Sequence, residues 1–275
     1  MTITRTALLL SAITLTGCGK LSEIQDVVEG VSERFVVSGI YLGVEQPDGV
    51  DLSETAFSGA RLTAYLADAS QISEMEDAPI TGTAVMLLSP GNGGSLPMND
   101  SGLGKYELSS EDGLEYFSGE EISLTSTYGD TDRAISVDVP PAANLDISPD
   151  HAAGTPIAVD LSGQGFDAAL VVVMDVETGE ITWSNEPNDI SALYDMTHPD
   201  GFVIGGSEDT DDTILVEIPG KAFASESYYI VGVAGMNVSN TASFENINTA
   251  LSTVMAGKLR FVDVCTDDFA LLCEE

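Results

Sequence analysis

A chain of 275 residues with 45 acidic side chains against 9 basic ones carries a formal charge of −36, which excludes nucleic acid and anionic lipid head groups as partners held by charge. Its hydrophobic fraction of 43% is enough for real cores and excludes a disordered acidic chain. In chain order, the first feature is Arg5, followed by the apolar run Ala7-Leu8-Leu9-Leu10-Ser11-Ala12-Ile13-Thr14-Leu15. A bilayer needs about 20 apolar residues, so this run is too short to span one and reads as the core of a signal peptide.

Directly after it comes Leu15-Thr16-Gly17-Cys18. This tetrapeptide resembles the lipobox of bacterial lipoproteins, in which small residues let the peptidase approach and the cysteine thiol receives the lipid. The resemblance implies cleavage before Cys18, a signal peptide over 1–17, a lipidated tether over 18–34, and attachment to a membrane through the lipid on Cys18. An ordinary secretory signal that ends beside a cysteine is the simpler alternative, and position and spacing favour the lipobox. A lone arginine argues against the twin-arginine route. Gly19 stands where an aspartate would favour inner-membrane retention, so the resemblance points to the outer membrane.

The 258 residues from Cys18 onward suffice for two domains of common size. A border is expected at Val139-Pro140-Pro141-Ala142-Ala143-Asn144, with Pro149, Gly154 and Pro156 close behind, because proline blocks both helix continuation and sheet pairing. Residues 35–141 then read as short strands of period two. Leu62, Ala64 and Leu66 alternate with Arg61, Thr63 and Tyr65; Tyr106 and Leu108 alternate with Lys105 and Glu107; Ile135, Val137 and Val139 alternate with Ala134, Ser136 and Asp138. Turn-rich segments such as Pro90-Gly91-Asn92-Gly93-Gly94 and Asn99-Asp100-Ser101-Gly102 separate them, the pattern of a β-sandwich. The run Ala78-Pro79-Ile80-Thr81-Gly82-Thr83-Ala84-Val85, then Gly102-Leu103-Gly104-Lys105-Tyr106 and Gly119-Glu120-Glu121-Ile122, resembles the transthyretin-like modules found beside carboxypeptidases and in bacterial surface proteins. It implies a fold and no activity.

Residues 142–265 continue with more aliphatic strands at 157–161, 168–176, 180–183, 213–218 and 227–234, and Glu177-Thr178-Gly179-Glu180 supplies a tight hairpin turn. Ile218-Pro219-Gly220 followed by Tyr228-Tyr229-Ile230-Val231-Gly232 resembles the strand that carries the tyrosine corner in fibronectin type III and related immunoglobulin-like domains. Short helical turns are expected at 189–195 and at 244–255, the second closed by Gly257 as a C-cap. The fold class expected is all-β, two tandem β-sandwiches, with an acidic tail over 266–275.

Of three cysteines, lipidation of Cys18 leaves Cys265 and Cys273 as a pair eight residues apart. In an oxidising compartment they are expected to form a disulfide, which for so short a loop contributes about 2.5 kcal/mol in the chain-entropy model. A zinc site is disfavoured because His151 and His198 are isolated.

No catalytic, cofactor or metal site is expected. Gly163-Gln164-Gly165-Phe166-Asp167-Ala168 matches a dinucleotide fingerprint, but Ala169-Leu170-Val171-Val172-Val173 follows as a strand where the helix should open. Ser207 after Gly205-Gly206 forms no nucleophile elbow. Trp183, read as sharing a strand face with Ile181, suits a core anchor better than a sugar platform. With 45 acids, paired carboxylates arise by chance. Removal of Arg5 with the signal leaves 8 bases against 45 acids, a charge of −37, spread along both halves. That suits a solvated surface with cations as counterions; a specific Ca²⁺ site at Glu208-Asp209-Thr210-Asp211-Asp212 is disfavoured because the loop lacks EF-hand spacing. The expected function is a non-catalytic envelope lipoprotein that contacts an envelope protein or a surface glycan. The alternative is a carbohydrate-active or other hydrolytic enzyme that uses carboxylates.

Overall fold

The computed structural model describes residues 35–46, 59–68, 79–185, 203–204, 213–239 and 253–266. Apart from 3₁₀ turns at Ser110–Asp112 and Gly220–Phe223, every regular element among them is a strand. The N-terminal half contains β1 (Phe35–Val44), β2 (Arg61–Asp68), β3 (Val85–Ser89), β4 (Gly94–Pro97), β5 (Asn99–Gly102), β6 (Lys105–Ser109), β7 (Glu121–Tyr128) and β8 (Thr131–Asp138). The C-terminal half contains β9 (Asp150–His151), β10 (Ile157–Asp160), β11 (Ala168–Asp175), β12 (Glu180–Ser184), β13 (Val203–Ile204), β14 (Leu215–Ile218), β15 (Tyr228–Val238) and β16 (Thr253–Thr266). The fold is all-β, built of packed sheets.

In the first half the period-two alternation places Leu62, Ala64, Leu66, Tyr106 and Leu108 inward, each 3% exposed or less. They meet Val85, Leu87, Ile122, Leu124 and Val137 from the facing sheet β4-β3-β7-β8. On the opposite face Lys105 Nζ reaches Glu107 at 2.8 Å, as a solvated side requires. Thr63 departs from the pattern and is buried.

The second half pairs a short sheet, β10-β14, with β12-β11-β15-β16, around Val159, Leu161, Val171, Val173, Val216, Ile218, Phe223, Tyr229 and Val231. On the other face of the larger sheet Ala168, Val172, Ala234, Met236, Met255 and Leu259 are buried as well. β11 and β15 are therefore apolar on both faces, which is why they read as continuous aliphatic runs and not as alternation.

One strand joins the halves. β16 runs antiparallel to β15 from Tyr228↔Cys265 to Val238↔Met255, while its other edge pairs in parallel with β1, from Ser38↔Thr253 to Val44↔Leu259. The same edge later pairs with β9 at Cys265↔Asp150. The result is a single ten-stranded sheet that runs across the proline-rich border at 139–144, with Val254 and Ala256 in the first core and Val264 in the second.

Two local expectations are corrected. Residues 253–255 are strand, not the end of a helix, and Gly257 lies inside β16: the sulfur of Met236 occupies the place a Cβ would take there, so glycine answers packing and not a cap. Trp183 and Ile181 do not share a face. The β11–β12 register slips between Val173 and Met174, so Thr182 is bulged; Trp183 turns toward the second core and Ile181 toward the opposite side. The remainder of 244–252 and the turn at 189–195 lie outside the described residues.

Beyond Ser184 the Asn185 amide still donates to the Val171 carbonyl at 3.1 Å, and its side chain adds to the pairing of β11. Asn185, 3% exposed, accepts from the Val171 amide at 2.6 Å and donates to the Ala169 carbonyl at 2.9 Å. β13 takes over at Ala169↔Val203.

Candidate functional site

Among the described residues, those singled out in the sequence are not brought into one place. Cys18, Cys273, His198, Ser207 and the acidic loop 208–212 lie outside the described residues. Cys265 is fully buried at the end of β16 and is not a free thiol. The Gly163 to Ala168 segment is a turn with positive φ at Gly163 (71°) and Gly165 (79°), and β11 follows at once. His151 faces Thr155, its Nε2 2.9 Å from the Thr155 carbonyl, and its ring packs edge-on against Phe223. Trp183 lies half-buried against the second core. Among the described residues no group of three or more His, Cys, Asp or Glu side chains is arranged to hold a metal. Nor is any described helix long and apolar enough to cross a membrane.

Many of the polar side chains hold loops to the frame. Ser89, fully buried, donates to Glu120 at 2.6 Å, and the Gly91 amide donates to the other oxygen of the same carboxylate at 2.6 Å. Asn92 exchanges two bonds with the Glu115 backbone, and Tyr41 donates to the Glu115 carbonyl at 2.6 Å. Tyr116 donates to Pro140 at 2.7 Å. Burial pushes both phenols, Tyr41 and Tyr116, well above the ordinary range, so each stays a donor. Asp100 accepts from the amides of Gly82 and Gly102, which hold its carboxyl below the usual range. At the corner before β15, Tyr229 donates to the Ser225 carbonyl at 2.9 Å, the bond of a tyrosine corner.

The charged place that this frame leaves open lies where the two cores meet. The even-numbered residues of β16 share the inner face, and their burial dips in the middle: Val254 and Ala256 are buried, Lys258 is half-buried, Arg260 exposed, Val262 half-buried and Val264 buried again. The strand is thus covered at both ends, and Lys258 and Arg260 stay partly exposed between the two cores. Lys258 stands opposite Gly43 in β1, and the pairs Val233↔Arg260 and Met236↔Gly257 bracket it opposite Gly235 in β15. A side chain at Gly43 would collide with the Tyr116 ring, and one at Gly235 with Phe166. The two glycines let one aromatic ring from each core settle on the sheet on either side of the lysine.

On this face Lys258 Nζ lies 3.4 Å from one oxygen of Glu45, and Arg260 Nε lies 3.6 Å from the other. The Glu45 amide donates to Leu259 at 2.9 Å, so the backbone ladder itself places the carboxylate there. Asn237 donates across the border to the Asp138 carbonyl at 3.0 Å. The alternation Val254, Ala256, Lys258, Arg260, Val262, Val264 is legible in the sequence as two cations within an inward apolar row.

No family model matches the chain, and no curated protein matches it. Among solved structures it is similar to trypsin-activated alpha-2-macroglobulin from Escherichia coli, at 10% identity and TM-score 0.27, over 87% of this chain and 16% of that one. It is also similar to the FN1-FN3 domains of chicken CNTN1, at 9% identity and TM-score 0.23, over 86% of this chain and 64% of that one. A titin immunoglobulin tandem, A164-A165, aligns at 11% identity and TM-score 0.20, over 86% of this chain and 97% of that one. The chain thus spans less than two thirds of the first two. At such TM-scores these likenesses carry no argument about binding or activity, and it is the chain's own strands and tyrosine corner that make it an all-β, sandwich-built protein with immunoglobulin-like features.

Proposed function

We propose that this chain is a non-catalytic interaction module of a bacterial envelope, held to the outer membrane by a lipid on Cys18. The carrying observation is that β16 welds two sandwiches into one sheet while buried and loop-bound polar groups, from Ser89 and Glu120 to Asn185, hold the frame in place. Such a body suits presenting a surface. In this reading Cys265 pairs with Cys273 and pins the acidic end against the last strand, and the partner is an envelope protein or a surface glycan. The test is fractionation with intact mass. Wild-type protein should partition with membranes and carry acyl mass on Cys18, whereas Cys18→Ser should be released or remain unprocessed. Recovery of unlipidated wild-type protein would remove the anchor from this reading, and turnover of a glycan or ester substrate that one carboxylate variant abolishes would remove the non-catalytic part.

A further inference from the structure

We propose that the Lys258–Arg260 pair on β16 is a carboxylate-binding site, occupied in the free chain by the protein's own Glu45. This deepens the reading of the chain as an interaction module and rests on it.

Charge is the first argument. The mature chain keeps 8 bases against 45 acids, yet two of the eight occupy successive inward positions of the strand that joins both cores, with one carboxylate between them. With one carboxylate between two cations, the patch is locally cationic on a strongly anionic molecule. Glu45 itself already fits between the two bases. Both Glu45 oxygens are engaged, one by each cation, at 3.4 and 3.6 Å, so the two bases already stand at the separation a carboxylate needs. Those distances are long for charge-assisted bonds, and the three side chains are 30, 45 and 43% exposed, so the internal pair is weak and replaceable. Arginine offers five donors in a planar fork, and among the described residues Arg260 uses only Nε, toward Glu45, which leaves its outer edge for a second, bidentate carboxylate.

Tyr116 and Phe166 settle on Gly43 and Gly235 on either side of Lys258, so an aromatic ring from each core flanks the lysine on the face of the sheet that carries both cations. Binding proceeds by exchange: the Glu45 side chain turns out to solvent, and the incoming carboxylate takes the Lys258 and Arg260 donors. No proton or covalent bond changes hands. The carboxylate belongs to an acidic protein segment or to a small dicarboxylate.

The experiment titrates the full chain with succinate in one arm and a hexaglutamate peptide in the other. It is run in about 0.3 M NaCl, which shortens the reach of the molecule's overall repulsion below about 10 Å. Amide shifts in the NMR spectrum should move at 43–45, 233–237 and 256–262. Glu45→Gln, which removes the competitor, should tighten binding several-fold, and Arg260→Gln in that background should weaken it by about 10-fold. Lys258→Gln serves in place of Arg260→Gln if the latter misfolds. Binding by the peptide alone assigns an acidic protein segment, and equal binding by succinate assigns a free carboxylate. Absence of binding in both wild type and Glu45→Gln, or shifts that ignore these substitutions, overturns the site while leaving the anchored interaction module intact. Succinate or the peptide returning chemically altered would overturn that module reading instead.

Discussion

Tyr229 shows how one hydroxyl ties sequence to topology. Its ring is 1% exposed and packs edge-on against Phe223 in the second core, while its hydroxyl donates to the Ser225 carbonyl at 2.9 Å and lies 2.9 Å from the Ser225 hydroxyl. The chain enters β15 through that corner. Tyr229→Phe keeps the ring and removes the bonds, so unfolding in urea should show a loss of about 1 kcal/mol with an unchanged m-value. A variant as stable as wild type would mean that the corner bond contributes nothing. Its neighbour Tyr228 has a different setting: the hydroxyl donates to Asp263 at 2.8 Å on the outer side of the sheet, and burial together with that carboxylate keeps the phenol protonated well above its ordinary range. Two adjacent tyrosines therefore serve opposite faces, as strand alternation requires.

At the scale of elements, the β5–β6 hairpin depends on backbone conformations that only its sequence permits. Gly102, Leu103 and Gly104 all have positive φ, and a Cβ at Gly104 would collide with the Leu66 carbonyl. Leu103, 84% exposed at the tip with φ of 53°, is the one non-glycine residue among those described to bear this strain. Asp100 anchors the base of the turn by accepting from Gly82 at 2.7 Å and Gly102 at 2.8 Å. Because these amides lower its folded-state pKa, the contact stabilises the hairpin above the unfolded value of about 3.9 and is lost as pH falls through the lower folded value. The amide shifts of Gly82 and Gly102 should titrate together with a midpoint below 3.9, and Asp100→Ala should abolish that titration. A midpoint at the ordinary aspartate value would show that the bonds do not form in solution. The β11–β12 hairpin has a similar device, since Asp175 accepts from Glu177 at 2.9 Å and Thr178 at 3.1 Å before Gly179 turns the chain.

At the scale of the molecule, two features set the response to denaturation: the common sheet and the charge. Because β16 lends Val254 and Ala256 to one core and Val264 to the other, neither sandwich is complete without it. Trp183 fluorescence, which reports the second core, and tyrosine signals dominated by the first should follow one melting transition. Charge sets where that transition lies. Carboxylates within a Debye length repel, and that length falls from about 30 Å at 0.01 M to about 3 Å at 1 M ionic strength. The common midpoint should therefore rise by about 5 °C or more on adding NaCl to dilute buffer. Two separated transitions would contradict the welded sheet, and a salt-independent midpoint would contradict the repulsion.

Residues 62–66, 105–108 and 135–138 could be read as strands directly, because a sheet with one face in water forces period-two alternation on the chain that makes it. The tyrosine corner and the glycine turns were legible for the same local reason: the chemistry needed lies within a few residues. The shared strand was not. Pairing of Ser38 with Thr253 brings together residues separated by most of the chain, and no local period encodes which distant edge a strand will meet. Nor does local sequence say that Thr182 will bulge and turn Trp183 and Ile181 to opposite faces, because that slip is fixed by the register with β11. The Lys258–Arg260 pair around Glu45 depends on both: composition and alternation determined an acidic, all-β protein with inward and outward faces. Only the long-range closure of β1 on β16 decided that two cations would lie side by side at the open joint between its cores.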